Sequence, residues 1–199
     1  MIRLVIFDLD GTLFKSHLNW NEIRNRLDIP QGRNILKELW GRPECQEKMD
    51  LLQRIERENT LKTSLRPHVK EFFTFLRRNA IKTALITNNS RTNTEYLLQK
   101  FNLSFDLVLT REATLWKPDP DPMLHVISHF NVLPRETASI GDTHYDTKAS
   151  KSADIRDIFI IDNDVSKLIP TDPSITIFRN FRELKAIFNK RYMSTRRHQ

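Results

Sequence analysis

The feature that most constrains this chain is a repeated pairing. Short β-branched apolar segments, several running straight into a polar or acidic turn, alternate with segments whose apolar residues recur at helical spacing. Residues 3–7 form the first apolar segment and run into Asp8-Leu9-Asp10-Gly11-Thr12. Further strands are predicted over 81–86, 105–109, 137–140, 155–161 and 175–178, and helices over 68–79, 92–101, 121–130, about 146–152, and 181–189. Strand and helix alternating at this spacing specify an α/β fold, a parallel sheet with helices on both faces. One stretch breaks the rhythm. From about residue 19 to 60 the spacing is helical only (Trp20, Ile23, Leu27; Ile35, Leu36, Leu39; Leu51, Leu52, Ile55), punctuated by Pro30, Gly32, Gly41 and Pro43. Residues 15–65 therefore read as a helical insert after the first strand, and residues 1–14 with 66–199 as the core.

Composition removes several classes. A chain of 199 residues with a single cysteine, Cys45, forms no intrachain disulfide and fits a reducing, cytoplasmic setting. No apolar run approaches the roughly 20 residues of a membrane helix. The N-terminal run meets Asp8 too early for a signal peptide. Four glycines (Gly11, Gly32, Gly41, Gly141) cannot build a GxGxxG or Walker A loop. The net charge of +7 and pI near 9.7 suggest nucleic acid. However, Lys185, Lys190, Arg191, Arg196 and Arg197 lie in a stretch without acids and supply five of those charges. Residues 194–199 read as a frayed, solvated tail, so a nucleic-acid partner is not favoured. No heptad run or long edge strand is evident, which leaves a monomer or weak dimer.

Four polar sites each follow a strand-like segment: Asp8 with Asp10, Thr87 with Asn88, Lys117, and Asp142 with Asp146. Open parallel sheets bind ligands outside the carboxyl ends of their strands, so these sites should converge. Gathered carboxylates repel one another and stay ionised around a cation. An oxygen-only ligand set favours a hard ion, Mg²⁺ above all. A carboxylate beside such an ion can attack phosphorus to give an aspartyl-phosphate. A second carboxylate two residues on can protonate the leaving oxygen and later take a proton from water. Thr87 and the Asn88 backbone N–H can hold phosphoryl oxygens, and Lys117 adds positive charge.

At these residues the sequence resembles the haloacid dehalogenase superfamily. Asp8-Leu9-Asp10-Gly11-Thr12-Leu13 is similar to its first motif, and Leu85-Ile86-Thr87-Asn88-Asn89 to its second. Lys117-Pro118-Asp119-Pro120 is similar to its third, and Gly141-Asp142-Thr143-His144-Tyr145-Asp146 to its fourth. The resemblance covers nearly the whole chain and points to phosphoglycolate phosphatase-like members. It implies a Rossmann-like sheet with the nucleophile strand in the middle and a small α-helical cap formed by the insert. It also implies roles. Asp8 is nucleophile and metal ligand; Asp10 is general acid/base, its carbonyl a metal ligand. Thr87, Asn88 and Lys117 hold the phosphoryl group, and Asp142 holds Mg²⁺ with Asp146 close behind. The expected activity is Mg²⁺-dependent hydrolysis of a small phosphorylated metabolite, a phosphoglycolate-like ester or a sugar phosphate. A phosphosugar mutase would keep the same residues. A nucleic-acid 3′-phosphatase would want an open mouth, and a non-catalytic module would show damaged motifs. Asp10 disfavours a dehalogenase, since a leaving halide needs no acid.

The chain departs from the family pattern in three places. Ala153-Asp154 replaces a common Ala-Gly and should alter a turn, Trp116 precedes Lys117, and the insert is short. Elsewhere, His125 and His129 have a metal-ligand spacing but read as part of a covering helix. His144 reads equally as a site residue or a solvated loop residue. Phe72 and Phe73 read as core, with Phe75 beside them. Trp20 and Trp40 read as packing within the insert rather than as substrate walls. Arg24, Arg26, Arg33, Arg42 and Lys48 read as solvated charge, whereas Lys15 and His17, directly after the first motif, are better placed to reach a substrate.

Overall fold

Six short strands pair side by side in the computed structural model, which describes residues 1–162, 172 and 174–193. They are β1 (Leu4–Phe7), β2 (Lys82–Ile86), β3 (Leu107–Leu109), β4 (Thr137–Gly141), β5 (Asp157–Ile161) and β6 (Ile175–Phe178). Their order is β3-β2-β1-β4-β5-β6, and every pairing is parallel. The chain winds outward from β1 through β2 to β3, returns to β4 beside β1, and winds outward the other way. That reversal opens a crevice at the carboxyl ends of β1 and β4.

β1 is buried on both faces, as a central strand of a parallel sheet must be. Val5 and Phe7 pack with Val69, Phe72, Phe73 and Leu76 of α4 (Val69–Arg78) and with Phe181, Leu184 and Phe188 of α8 (Phe181–Phe188). Phe7 stacks on Phe73 at 5.0 Å, and Phe75 stacks on Phe72 at the rim of this cluster. Leu4 and Ile6 face the opposite layer, where they meet Met123 and Val126 of α6 (Asp121–His129) and Ala149 of α7 (His144–Ser152). α5 (Arg91–Phe101) adds Leu97 to the first layer.

Between β1 and α4 the described chain is helical: α1 (Trp20–Arg26), α2 (Ile35–Leu39) and α3 (Gln46–Lys62). Asn19 and Asn34 cap the first two helices through their side chains. This insert has its own apolar cluster, built on Ile23, Leu27, Leu36, Leu39, Met49 and Leu52, and Trp116 of the core joins it. It leaves and re-enters the core through two crossings that touch. The Lys15 N–H donates to the Ser64 carbonyl (3.0 Å), the Arg66 N–H donates to the Leu13 carbonyl (2.9 Å), and Phe14 faces Leu65 in an antiparallel bridge.

The observed elements differ from the sequence expectations mostly at their ends. Pairing of β3 starts at Leu107 because the Asp106 carboxylate accepts from the Thr83 N–H and hydroxyl, which turns the chain before the ladder begins. β5 starts at Asp157, not residue 155. The Ile155 N–H still bonds back to the Ser150 carbonyl, and Asp154 sits at φ +58°. Asp154 thus adopts the left-handed conformation that a glycine would take, which Asp tolerates better than most residues. α7 starts two residues early because Thr143 and Asp146 form a capping box. The expected frayed tail, 194–199, lies outside the described residues. Among the described residues no helix is long and apolar enough to cross a membrane.

Candidate active site

The turn after β1 is shaped by its own backbone. The Leu13 and Phe14 N–H groups both donate to the Leu9 carbonyl, and the Gly11 N–H donates to the Phe14 carbonyl. Gly11 sits at φ +86°, and a Cβ there would lie 2.0 Å from Asp142 Oδ2. Only glycine admits both the conformation and that close approach. Arg66, just past the insert, grips the Gly11 carbonyl through Nε and Nη2 (3.1 and 2.7 Å). At the end of β4, a Cβ on Gly141 would lie 2.3 Å from Asp146 Cβ. Both glycines let carboxylates close in on the mouth of the crevice.

Asp8, Asp142 and Asp146 form the one candidate metal-holding group among the described residues, with one oxygen from each lying within 4.8 Å of the others. Lys117 Nζ donates to Asp8 Oδ1 at 2.6 Å and to Asp146 Oδ1 at 2.7 Å, with the ammonium buried. The other Asp146 oxygen accepts from the Asp142 and Thr143 N–H groups and from the Thr143 hydroxyl. Asp146 is therefore fully engaged and supports the site from behind. Asp8 Oδ2 is buried with no hydrogen-bond partner among the described residues.

The electrostatics follow from this crowding. Burial pushes the Asp8 carboxyl up to about 7, against the pull of Lys117. Burial, then the charges of Asp8 and Asp146, hold Asp142 well above the usual carboxylate range. Burial also raises Asp10, offset in part by a hydrogen bond from Asn89. For Asp146 burial acts upward but is outweighed by Lys117 and the Thr143 donors, so its carboxyl lies below its ordinary value. Lys117 is held above the ordinary ammonium range: burial opposes this, and Asp146 and Asp8 overcome it. One buried ammonium thus serves an excess of carboxylates. An unpartnered buried oxygen, a donor set of oxygens alone and two glycines that leave room for them fit a hard divalent cation.

Six of the seven sequence-predicted site residues lie at the carboxyl ends of the sheet or in the loops beyond them, and Asp146 lies in the first turn of α7. Thr87 directly follows β2, where its hydroxyl accepts the Asn89 N–H (3.0 Å). The Asn88 amide brackets the backbone of Lys117, donating to its carbonyl (2.9 Å) and accepting its N–H (3.1 Å). Asp10 Oδ2 accepts from Asn89 Nδ2 at 2.7 Å. The loop before Lys117 is held by Trp116, whose indole N–H donates to the Arg111 carbonyl (2.7 Å) and whose ring meets Trp40 edge to face at 5.7 Å.

A cavity of about 610 Å³ lies between the insert and this end of the sheet, with Trp20, Arg24 and Asn34 on one wall and Asn88, Lys117 and Asp142 on the other. Three expectations are corrected here. Arg24 is not solvated: it is 8% exposed, donates to the Trp20 and Arg33 carbonyls and reaches Tyr145 Oη across the cavity (3.2 Å). Lys15 and His17 are exposed and do not line the cavity, because the Phe14–Leu65 bridge and a bond from the His17 N–H to Asn59 Oδ1 hold that segment at the crossings. Trp20 is a cavity wall, 37% exposed, while Trp40 packs as expected. Arg26, Arg33 and Arg42 are exposed, and Lys48 pairs with Asp28. His144 lies on the cavity wall against Tyr145. His125 and His129 sit on the exposed side of α6.

Sequence reasoning missed Arg111, Glu56 and Asn34. Asn34 donates to the Lys117 carbonyl from the insert (2.9 Å). Glu56 and Arg111 form a buried ion pair between insert and core. One signal was available: Met49, Leu52, Glu56 and Asn59 follow one helical stripe, so Glu56 continues a buried face.

Comparison with known proteins places these observations. The family model described as haloacid dehalogenase-like hydrolase matches residues 2–154. A haloacid dehalogenase-like hydrolase domain-containing protein of Arabidopsis thaliana is 30% identical over 155 residues, 71% of this chain and 63% of that protein. This chain therefore spans less than two thirds of that relative. A phosphoglycolate phosphatase of Nitrosococcus oceani is 29% identical over 183 residues, 77% of this chain and 81% of that protein. The crystal structure of a HAD-superfamily hydrolase from Geobacter sulfurreducens has the same fold, with a TM-score of 0.67 at 22% identity, covering 94% of this chain and all of that one. With a family model spanning all four motifs and the first four strands of the sheet, the chain belongs to the haloacid dehalogenase-like hydrolases.

Proposed function

We propose that this chain is a Mg²⁺-dependent phosphatase that hydrolyses a small phosphomonoester through an aspartyl-phosphate. The observation that carries the reading is the largely buried Asp8–Asp142–Asp146 cluster, with Lys117 paired to Asp8 and Asp146, at the carboxyl end of the central strand. Asp8, Asp142 and the Asp10 carbonyl would hold the ion, with Asp146 behind them. Bound there, the ion would offset the carboxylate repulsion and draw charge from the phosphoryl oxygens.

The chain's own groups supply the remaining chemistry. Asp8 forms a bond to phosphorus as the ester oxygen leaves, and Asp10 gives that oxygen its proton. Asp10 then takes a proton from the water that releases phosphate. Lys117, Thr87 and the Asn88 N–H hold the phosphoryl oxygens. Residues 15–65 act as a cap over residues 1–14 and 66–199, which closes the cavity and excludes water. A cavity of this size beneath a helical insert suits a metabolite rather than a polymer. The names of the relatives, one a phosphoglycolate phosphatase, favour the same class.

A phosphate-release screen over phosphoglycolate, sugar phosphates and nucleotides, with Mg²⁺ and with EDTA, tests this. Turnover that requires Mg²⁺ and is lost in Asp8→Asn is the expected result. Isomerised sugar phosphate without free phosphate would replace the phosphatase with a mutase. Near-normal turnover of p-nitrophenyl phosphate by Asp8→Asn would overturn the role of the nucleophile.

A further inference from the structure

Outside the carboxylate cluster, the most deeply buried ion pair among the described residues joins Arg111, 1% exposed, to Glu56, 3% exposed. Arg111 lies in the short turn after β3 and Glu56 on α3 of the insert. We propose that this pair positions the Asp10 carboxyl group through Asn89, so that the seated insert helps hold Asp10 in place; the proposal rests on the phosphatase reading above.

The geometry runs through one amide. Asn89 Oδ1 accepts from the Ser90 N–H (2.7 Å), from Asn93 Nδ2 (3.1 Å) and, at 3.5 Å, from Arg111 Nη2. Three donors at one end orient the amide, and its NH₂ therefore faces Asp10, donating to Oδ2 at 2.7 Å. An Asp10 oxygen that accepts from this NH₂ cannot also carry a proton toward it. The other oxygen, Oδ1, is buried and has no hydrogen-bond partner among the described residues. In the proposed reaction Asp10 gives a proton to the ester oxygen as the bond to phosphorus breaks, and regains one from water in the second half-reaction. Glu56 holds the guanidinium, the guanidinium holds the amide dipole, and the amide holds Oδ2. A buried charge with one partner removed is strongly disfavoured, so the two ends of this relay depend on each other.

A positioned acid matters to a poor leaving group and little to a good one. A nitrophenolate leaves without a proton, whereas an alkoxide does not. The experiment compares kcat on the best alkyl phosphomonoester of the screen with kcat on p-nitrophenyl phosphate, for wild type, Arg111→Met and the double variant Glu56→Gln/Arg111→Met. General-acid contributions run to about 10²–10⁴-fold. Both variants are expected to lose at least about tenfold more on the alkyl ester than on the nitrophenyl ester. The double variant guards against misfolding, because removing both charges leaves neither one buried alone. Its stability is followed by urea unfolding. Equal losses on the two esters, or alkyl-ester turnover restored in the double variant, would overturn the positioning role and leave the phosphatase standing. Absence of phosphate release by wild type from either ester would overturn both.

Discussion

Replacing Asp8 with asparagine is expected to abolish turnover and also to change how stability depends on pH. Burial raises the Asp8 carboxyl from 3.8 to about 7 in the folded, metal-free protein. A group whose folded pKa is raised contributes stability that is complete below its unfolded pKa and lost as pH rises through the folded one. Across the window from about pH 4 to pH 7 this shift of roughly three units corresponds to about 4 kcal/mol at about 1.4 kcal/mol per unit. Asparagine keeps the shape and does not titrate. In EDTA, therefore, Asp8→Asn should gain on wild type by about 4 kcal/mol between pH 4 and pH 8. Lys117 keeps its Asp146 partner in the variant, so the ammonium is not stranded. Added Mg²⁺ should reverse the order, since it stabilises the protein that binds it in proportion to ln(1 + [Mg²⁺]/Kd), and the variant has lost a ligand. Urea unfolding at pH 4, 6 and 8, with EDTA or with Mg²⁺, reads all of this. Parallel stability–pH profiles for the two proteins in EDTA would refute the claim that Asp8 is held at a cost in the empty site.

Two further substitutions test other parts of the structure. In Gly141→Ala the new methyl would meet Asp146 Cβ at 2.3 Å and Cγ at 2.4 Å; overpacking of this kind costs about 1–3 kcal/mol. Displacing Asp146 should also weaken Mg²⁺ binding, which calorimetric titration checks. In Leu52→Ala, truncation of a side chain 1% exposed in the insert's own cluster should cost about 2–5 kcal/mol. Hydrogen exchange should show faster opening in α1–α3 while the sheet keeps its protection; uniform acceleration would show that insert and core unfold as one unit.

The end of the sheet that carries the four motifs was legible because its information is local. Asp8 and Asp10 follow a β-branched strand by one and three residues, Asp142 follows Gly141, and alternation alone indicated that those strand ends would be neighbours. Helix phases in the core were equally plain: Val69, Phe72, Phe73 and Leu76 mark one face of α4 and were found buried. The insert was less readable. Its helices are short and heavily charged, so Arg24 looked like surface although its guanidinium is taken up by two carbonyls and a tyrosine. Arg111 and Glu56 lie 55 residues apart and on different elements, and no spacing rule links such residues. Asp154 shows the same limit at the backbone. Residue type suggested an altered turn, but an aspartate tolerates the left-handed angle where a glycine would be expected.

The two crossings between insert and core carry a last consequence. Leu13–Lys15 and Ser64–Arg66 run antiparallel and hydrogen-bonded to each other, so the whole insert hangs from one point, like the loop of a long hairpin. The entropy of closing such a loop grows only slowly with its length. As far as loop closure is concerned, the core is thus nearly indifferent to how much chain is suspended there. A turn of a few residues between Phe14 and Leu65 could bridge the gap, and a much larger helical module could also hang from it. What would be lost with the insert is Arg24, Asn34 and Glu56, the side chains that reach down onto the cavity, Lys117 and Arg111. The chemistry resides in the permanent part of the molecule. On the readings proposed above, selectivity and the placement of Asp10 would reside in the part that can be exchanged.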